Sequence, residues 1–334
     1  READYVLIES TYGDRLHKDD QASRSEFREA VLTALRDRGK VLIPSFVVDR
    51  AQRILFELSL MQIEGLLPEV PIFLDSPMGV RATDLYRSHV GTLSDEVQRY
   101  AASGVDVFAP KGFRSVSTPD ESRSINNVPF CIVIAGSGMC SGGRIIHHIK
   151  HSAWNPKNHI IFVGYQAYGT LGRRIVDGEP QVRIGGEDVA VRARVHTIGG
   201  FSAHADAEQI VEWMRSITAP RPAKVFLVHG EGQAQEALKE RIQEELGLEV
   251  YAPFLGDIVT IQGRSANLIP SNIPSVSVEA EMEDVMRDFD AEYRQLRKAV
   301  IRTVVRQPKL MEPIIRTLQK ARNYFKKLAA PYNI

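Results

Sequence analysis

A chain of 334 residues with 43% hydrophobic and 25% charged residues has the composition of a folded globular protein, and it exceeds the size at which one core usually divides. Its 42 basic and 42 acidic residues cancel, so no overall charge recruits nucleic acid, and any such site must be a local cleft. No apolar run approaches a membrane span and no signal peptide is visible; with Cys131 and Cys140 read as buried thiols, these features point to a cytoplasmic protein without a membrane partner.

A strand-like run at residues 5–8 opens the chain. Residues 25–38 carry a helical stripe at Phe27, Val31, Leu32 and Leu35, which Gly39 ends. Residues 41–46 read as a buried strand and 51–61 as a helix. Further short apolar runs fall at 71–75, 130–135 and 159–164, with helix-like patterns between them, as at 142–151. This alternation predicts an α/β fold, a largely parallel sheet covered by helices. Two more strand-like runs follow at 195–198 and 225–228. Pro270 and Pro274 then frame a linker. Beyond it Val278, Met282, Val285, Phe289, Tyr293, Leu296, Val300 and Val304 recur at steps of three and four, the mark of a long amphipathic helix. Pro308 breaks it, and Leu310, Ile314, Leu318, Ala321, Phe325 and Leu328 form a second stripe. The first helix begins acidic and the second is basic. The expectation is a helical hairpin that packs on the body or joins two copies into a homo-oligomer, with RNA contact by the basic face as the alternative.

The chemistry concentrates late. Gly200-Phe201-Ser202-Ala203-His204-Ala205-Asp206 is followed by Leu227-Val228-His229-Gly230-Glu231, and each histidine comes just past an apolar run. Strand ends at the carboxyl rim are where α/β folds hold their chemistry. Acidic neighbours, Asp206 and Glu231, point to a metal or phosphate site. Ser202 could donate its hydroxyl to a phosphate oxygen or simply serve a turn. Ser137, Gly138 and Met139, then Gly142-Gly143-Arg144, make a glycine-rich turn ahead of a helix. Its amides offer an anion site and Arg144 a phosphate clamp, though such glycines also serve a sharp bend. His147, His148, His151 and His159 lack a partner carboxylate pattern and read as structural.

Five ordered blocks then carry a resemblance: Leu7-Ile8-Glu9-Ser10-Thr11-Tyr12-Gly13; Ile43-Pro44-Ser45-Phe46 with Arg50-Ala51-Gln52; the glycine-rich turn at 136–144; Phe201 to Asp206; and Val228 to Glu231. Together they resemble the β-CASP nucleases of the metallo-β-lactamase superfamily, close to the pre-mRNA 3′-end-processing endonuclease and its prokaryotic relatives. The likeness reaches to about residue 262 and leaves the tail uncovered. It implies the end of a hydrolase segment at 1–13, an inserted β-CASP domain at 14–200, a returning hydrolase segment at 201–262, and a linker with helices at 263–334.

By the same resemblance, two zinc ions would drive hydrolysis of RNA, threaded between the two domains, to 5′-phosphate and 3′-hydroxyl ends. The activity is that of an endonuclease, with 5′-exonuclease action open beside it. His229 matches a metal ligand, and His204 a general acid that protonates the leaving 3′-oxygen. An imidazole titrates near ~6.5 unaided, so such an acid needs a carboxylate beside it at neutral pH. Glu9 matches that carboxylate. The family's His-x-His-x-Asp-His loop is not in this sequence, so the chain reads as the C-terminal part of a longer enzyme and is not expected to hold two metals or cut RNA as it stands. A DNA nuclease, or a non-catalytic paralogue that binds RNA or a nuclease partner, are the other readings. Retention of Glu9, His204 and His229 argues against the paralogue.

Overall fold

The computed structural model describes residues 2–217, 220–271, 296, 299–300, 309 and 311–329, the backbone alone for 321–329. It divides into Arg1–Pro253 with Thr260–Asn267, and Phe254–Val259 with Leu268–Ile334. In chain order the first unit begins β1 (Tyr5–Glu9), α1 (Asp20–Asp37), β2 (Val41–Pro44), α2 (Arg50–Ile63), β3 (Ile72–Asp75) and α3 (Pro77–Ser88). Next come α4 (Asp95–Ala102), β4 (Phe113–Val116), α5 (Pro119–Ser124), β5 (Ile132–Ala135), α6 (Ile145–Ser152), β6 (His159–Phe162) and α7 (Leu171–Val176). It ends with β7 (Gln181–Ile184), β8 (Glu187–Ala190), β9 (Arg194–Thr197), α8 (Ala207–Arg215), β10 (Lys224–Val228), α9 (Gly232–Leu246) and β11 (Val250–Tyr251).

Six strands form one parallel sheet in the order β4-β3-β5-β2-β6-β9. Its central strands are buried on both faces, which is why they read as continuous apolar runs. Val41 and Ile43 of β2 pack with Phe27 and Val31 of α1 and Leu55 and Leu58 of α2. Leu42 faces the other way, towards Ile145 and Ile149 of α6 and Ile175 of α7. A second sheet, β1-β10-β11, is also parallel. Val6, Val225 and Leu227 pack there with Ile210, Val211 and Met214 of α8 and Leu238 and Ile242 of α9. The expected parallel sheet covered by helices is what the chain forms.

The first helix departs from its expected limits at both ends. It starts earlier, because the Asp19 carboxylate accepts the Ala22 amide and caps the helix there. Its left-handed C-cap is Arg38, at φ 51°, rather than Gly39. Gly39 is required for another reason: a Cβ there would lie 1.6 Å from the Lys157 carbonyl oxygen.

Histidines knit the sheet to α1. His159 is fully buried, its Nδ1 2.9 Å from His196 Nε2 and its Nε2 3.1 Å from Asp37 Oδ2. Burial lowers the pKa of both imidazoles, outweighing Asp37's opposite pull on His159. A histidine depressed in the fold stabilises above its unfolded pKa, ~6.5, and loses that contribution as pH falls through the folded value. The urea midpoint should therefore be lower at pH 5.5 than at pH 7.5, and His196→Gln should flatten the difference. An equal pH slope in the variant would place the titration elsewhere.

The chain continues with a two-stranded pair, β12 (Ile258–Gln262) and β13 (Ser265–Ile269). In the second unit the basic stripe is helical, α10 (Met311–Ala329), and Met311, Ile315 and Leu318 are exposed on it. The longer helix expected at 278–304 lies outside the described residues, save three positions. No described helix is long and apolar enough to cross a membrane.

Candidate active site

Strands β1 and β10 lie side by side, with Glu9 in register with Val228, so Glu9 and His229 emerge at the carboxyl rim of adjacent strands. Two backbone features make that rim tight. His229 takes φ 62°, a strained region for a residue with a Cβ. Gly230 follows because a Cβ there would sit 2.3 Å from Ser10 Oγ. The Ser10 amide and hydroxyl both donate to Val228 O at 2.9 Å, lacing the two motifs together.

The loop between β9 and α8 brings in the second histidine. His204 Nδ1 lies 3.1 Å from Glu9 Oε1, and the same carboxylate accepts the amides of Ala205 at 3.2 Å and Thr11 at 3.0 Å. Burial pushes the Glu9 carboxyl up, but Thr11's hydrogen bonds and then the His204 imidazole bring it below the usual carboxylate range. Glu9 is therefore an anion at neutral pH, positioned to hold the ring. With Nδ1 engaged, Nε2 is the nitrogen left for substrate.

The loop itself is pinned. Asp206 caps α8 in a reciprocal box with Gln209 and also accepts the His17 amide at 2.8 Å. His17 Nε2 in turn lies 2.8 Å from the His204 carbonyl oxygen. Ser202 Oγ accepts the His204 amide at 3.3 Å, which leaves its hydroxyl proton free to donate. His204 and Ser202 line a cleft of about 570 Å³ with His17, Lys18 and Arg53.

The glycine-rich turn lies between β5 and α6, where the sequence places it. Ser137 N donates to Gly142 O at 3.1 Å, Ile145 N to Gly136 O at 3.0 Å, and Ser137 Oγ is buried without a partner. Gly138 lies against Phe46, whose ring a Cβ would meet at 2.7 Å. Arg144 is drawn inward: it pairs with the fully buried Asp75 at 2.6 Å and donates to the carbonyls of Val116 and Ser117. Expected as a phosphate clamp, Arg144 is thus a cross-brace in this structure, because a buried carboxylate outcompetes solvent for its guanidinium. His148, read as structural, shares the brace at 2.6 Å from Asp75.

One residue was assigned no chemistry and has the clearest capacity for it. Arg50 is 6% exposed, donates only to Val163 O at 3.2 Å, and lies over the Phe46 ring. Its Nε has no partner, and no carboxylate stands within ion-pairing distance among the described residues. Burial lowers its pKa. Gly164 makes room for it, since a Cβ there would lie 2.1 Å from the guanidinium. A buried cation without a counter-ion is a receptor for an anion.

Family models match in two places: a Beta-Casp domain at residues 51–175, and a Zn-dependent metallo-hydrolase RNA specificity domain at 188–253. The chain belongs to the β-CASP family of metallo-β-lactamase-fold proteins. It is 46% identical over 238 residues to Ribonuclease TTHA0252 of Thermus thermophilus, covering 71% of this chain and 53% of that protein. It is 34% identical over 268 residues to the transcription termination factor FttA of Methanocaldococcus jannaschii, covering 77% and 42%. An RNase J-like protein of the same organism is 32% identical over 264 residues, covering 78% and 60%. The chain thus spans about half the length of the curated relatives it matches. In this β-CASP chain both sheets carry the family blocks at their carboxyl rims.

Zinc, which the family implies, can be tested against the donors. All nine histidines and both cysteines lie among the described residues. No three His, Cys, Asp or Glu side chains among those residues are placed to hold a metal ion. The thiols are buried, and burial pushes Cys131 up to about 11 and Cys140 to about 12, so neither is a ready thiolate ligand. His229 remains as a single donor. The described residues do not fit a two-zinc centre.

Proposed function

We propose that this chain forms the β-CASP-bearing part of a zinc-dependent ribonuclease that hydrolyses single-stranded RNA in RNA processing or decay. The 3.1 Å contact between His204 Nδ1 and Glu9, made at the wall of the cleft, carries the reading. Hydrolysis adds a water oxygen to phosphorus and breaks the P–O3′ bond. The departing alkoxide is a poor leaving group, so a proton delivered from His204 Nε2 lowers the barrier. Glu9 holds the opposite nitrogen, fixing the direction of the ring. Ser202 donates to a non-bridging oxygen, and Arg50 supplies positive charge at the rim of the larger sheet. The turn at Ser137 and Gly138 shapes that rim against Phe46. Two zinc ions, with His229 as one ligand, would need their other donors from outside the described residues. The unpaired thiols fit a reducing cytoplasm.

The reading is tested by the ends it makes. A form of the enzyme that cleaves should release 5′-phosphate and 3′-hydroxyl ends, and a 2′-deoxy substitution at the cut should be tolerated, since water is the nucleophile. Cyclic 2′,3′-phosphate products would mean attack by the ribose hydroxyl and would sink it. The 334-residue chain by itself is expected to hold less than one zinc by elemental analysis and to leave RNA uncut.

A further inference from the structure

Beside the cleft opens a smaller cavity of about 270 Å³, walled by α1, α2, α3 and the start of α4. The two spaces share Asp20, Asp49, Arg53 and Gly200, so one leads into the other. Its volume lies just under the ~300–1,000 Å³ typical of small-ligand pockets, which suits one ring system rather than a whole nucleotide. Phe56, Tyr86 and Phe108 give it aromatic walls.

The polar groups around it are unequally satisfied. Arg24, its innermost cation, already donates to Glu57 at 2.7 Å and to Glu96 at 3.0 Å. Gln52 is fully buried, and its amide nitrogen donates to Val47 O and Thr83 Oγ1 while Oε1 has no partner. Asp49 shares a hydrogen bond with Tyr86 and makes a long 3.9 Å contact with Arg53, so its carboxylate keeps lone pairs to spare. The buried group left unmet is the acceptor Gln52 Oε1, whereas Arg53, a donor in the same lining, is half-exposed to water; the component missing from the inner wall is a donor.

Asp49 is also strained. It adopts φ 65° and ψ −57°, closing a tight turn in which Arg50 N donates to Val48 O at 2.8 Å. That is the costly form of the γ-turn, and such strain in a non-glycine residue persists only where the surroundings impose it. The turn sets the Asp49 carboxylate at the junction of cavity and cleft and sends Arg50 inward.

We propose that this cavity receives a nucleobase from the RNA strand in the cleft and favours bases that carry an exocyclic amino group. The inference rests on the RNA reading above. Single-stranded RNA is recognised by bases splayed onto aromatic walls and hydrogen-bonded along their edges. Adenine, cytosine and guanine bring an amino donor to Gln52 Oε1 and the Asp49 carboxylate. Uracil carries carbonyls at both exocyclic positions and has only its recessed ring N–H to donate towards Gln52 Oε1.

The test is titration of the 334-residue chain with each nucleoside 5′-monophosphate by calorimetry, then with a short single-stranded RNA as competitor. AMP, CMP and GMP should bind at least about 10-fold tighter than UMP, the scale on which one base-edge contact discriminates. Asp49→Asn keeps the shape, tolerates the positive φ, and turns an acceptor into a donor, so it should erase or invert that order. Asp20→Asn, exposed at the mouth, should weaken the preference without threatening the fold. Equal binding of the four, no binding, or the wild-type order surviving in both variants overturns the pocket, and RNA bound in the cleft all the same would leave the RNA reading standing. The expected order with no displacement by RNA upholds base selectivity and overturns the RNA reading instead.

Discussion

Replacing His204 with alanine is expected to lower RNA hydrolysis by ~10²–10⁴-fold, the range of a lost general acid, while zinc content stays unchanged. The expectation follows from position: Nδ1 is held on Glu9, and the side chain faces the cleft rather than a cluster of metal donors. His229→Ala should behave in the opposite way, losing zinc first and activity as a consequence. Glu9→Gln keeps the acceptor oxygen but removes the charge, so it should cost less than His204→Ala. The double variant should be little worse than His204→Ala alone, because the two residues act as one device. Metal analysis beside single-turnover cleavage separates these outcomes. If His204→Ala emptied the metal site and His229→Ala left it filled, the two roles would be exchanged.

The frame of the molecule was readable from its apolar runs because β2, β3, β5 and β6 are buried on both faces and admit almost no polar residue. Boundaries were less readable. Five residues, from Asp20 to Arg24, open α1 on the strength of the Asp19 cap, and no apolar stripe announces them. The pairing of Glu9 with His204 joins positions far apart in sequence. Only the motifs suggested it, since no periodicity links β1 to a loop before α8. Arg144 shows the limit plainly. A glycine-rich turn ending in arginine looks like a phosphate site, yet the outcome depends on Asp75, 69 positions earlier, arriving buried beside it. Arg50 was missed for the converse reason. A cation at the start of a helix is ordinarily solvated, and nothing local shows that Phe46 and Gly164 will enclose it.

That brace supplies the largest effect expected on stability. Asp75 is fully buried at the end of β3, and its two oxygens serve Arg144 at 2.6 Å, His148 at 2.6 Å and Ser122 at 2.5 Å. Burial works to raise the carboxyl, but these three partners hold it below the ordinary range, so the group is charged in the fold. Removing one member of a buried charged cluster leaves the others without compensation, at ~3–5 kcal/mol. Asp75→Ala should therefore lower the urea midpoint steeply, and Asp75→Asn, which keeps acceptors without the charge, should fall between. Arg144→Met then decides what the arginine is for. As a brace, it should destabilise while RNA affinity keeps its salt dependence. As a clamp, it should leave stability nearly intact and reduce the salt slope of RNA binding by about one phosphate contact. The geometry favours the first outcome, because the guanidinium reaches Asp75, Val116 and Ser117 at once, and a phosphate could enlist it only by breaking a contact to a buried carboxylate.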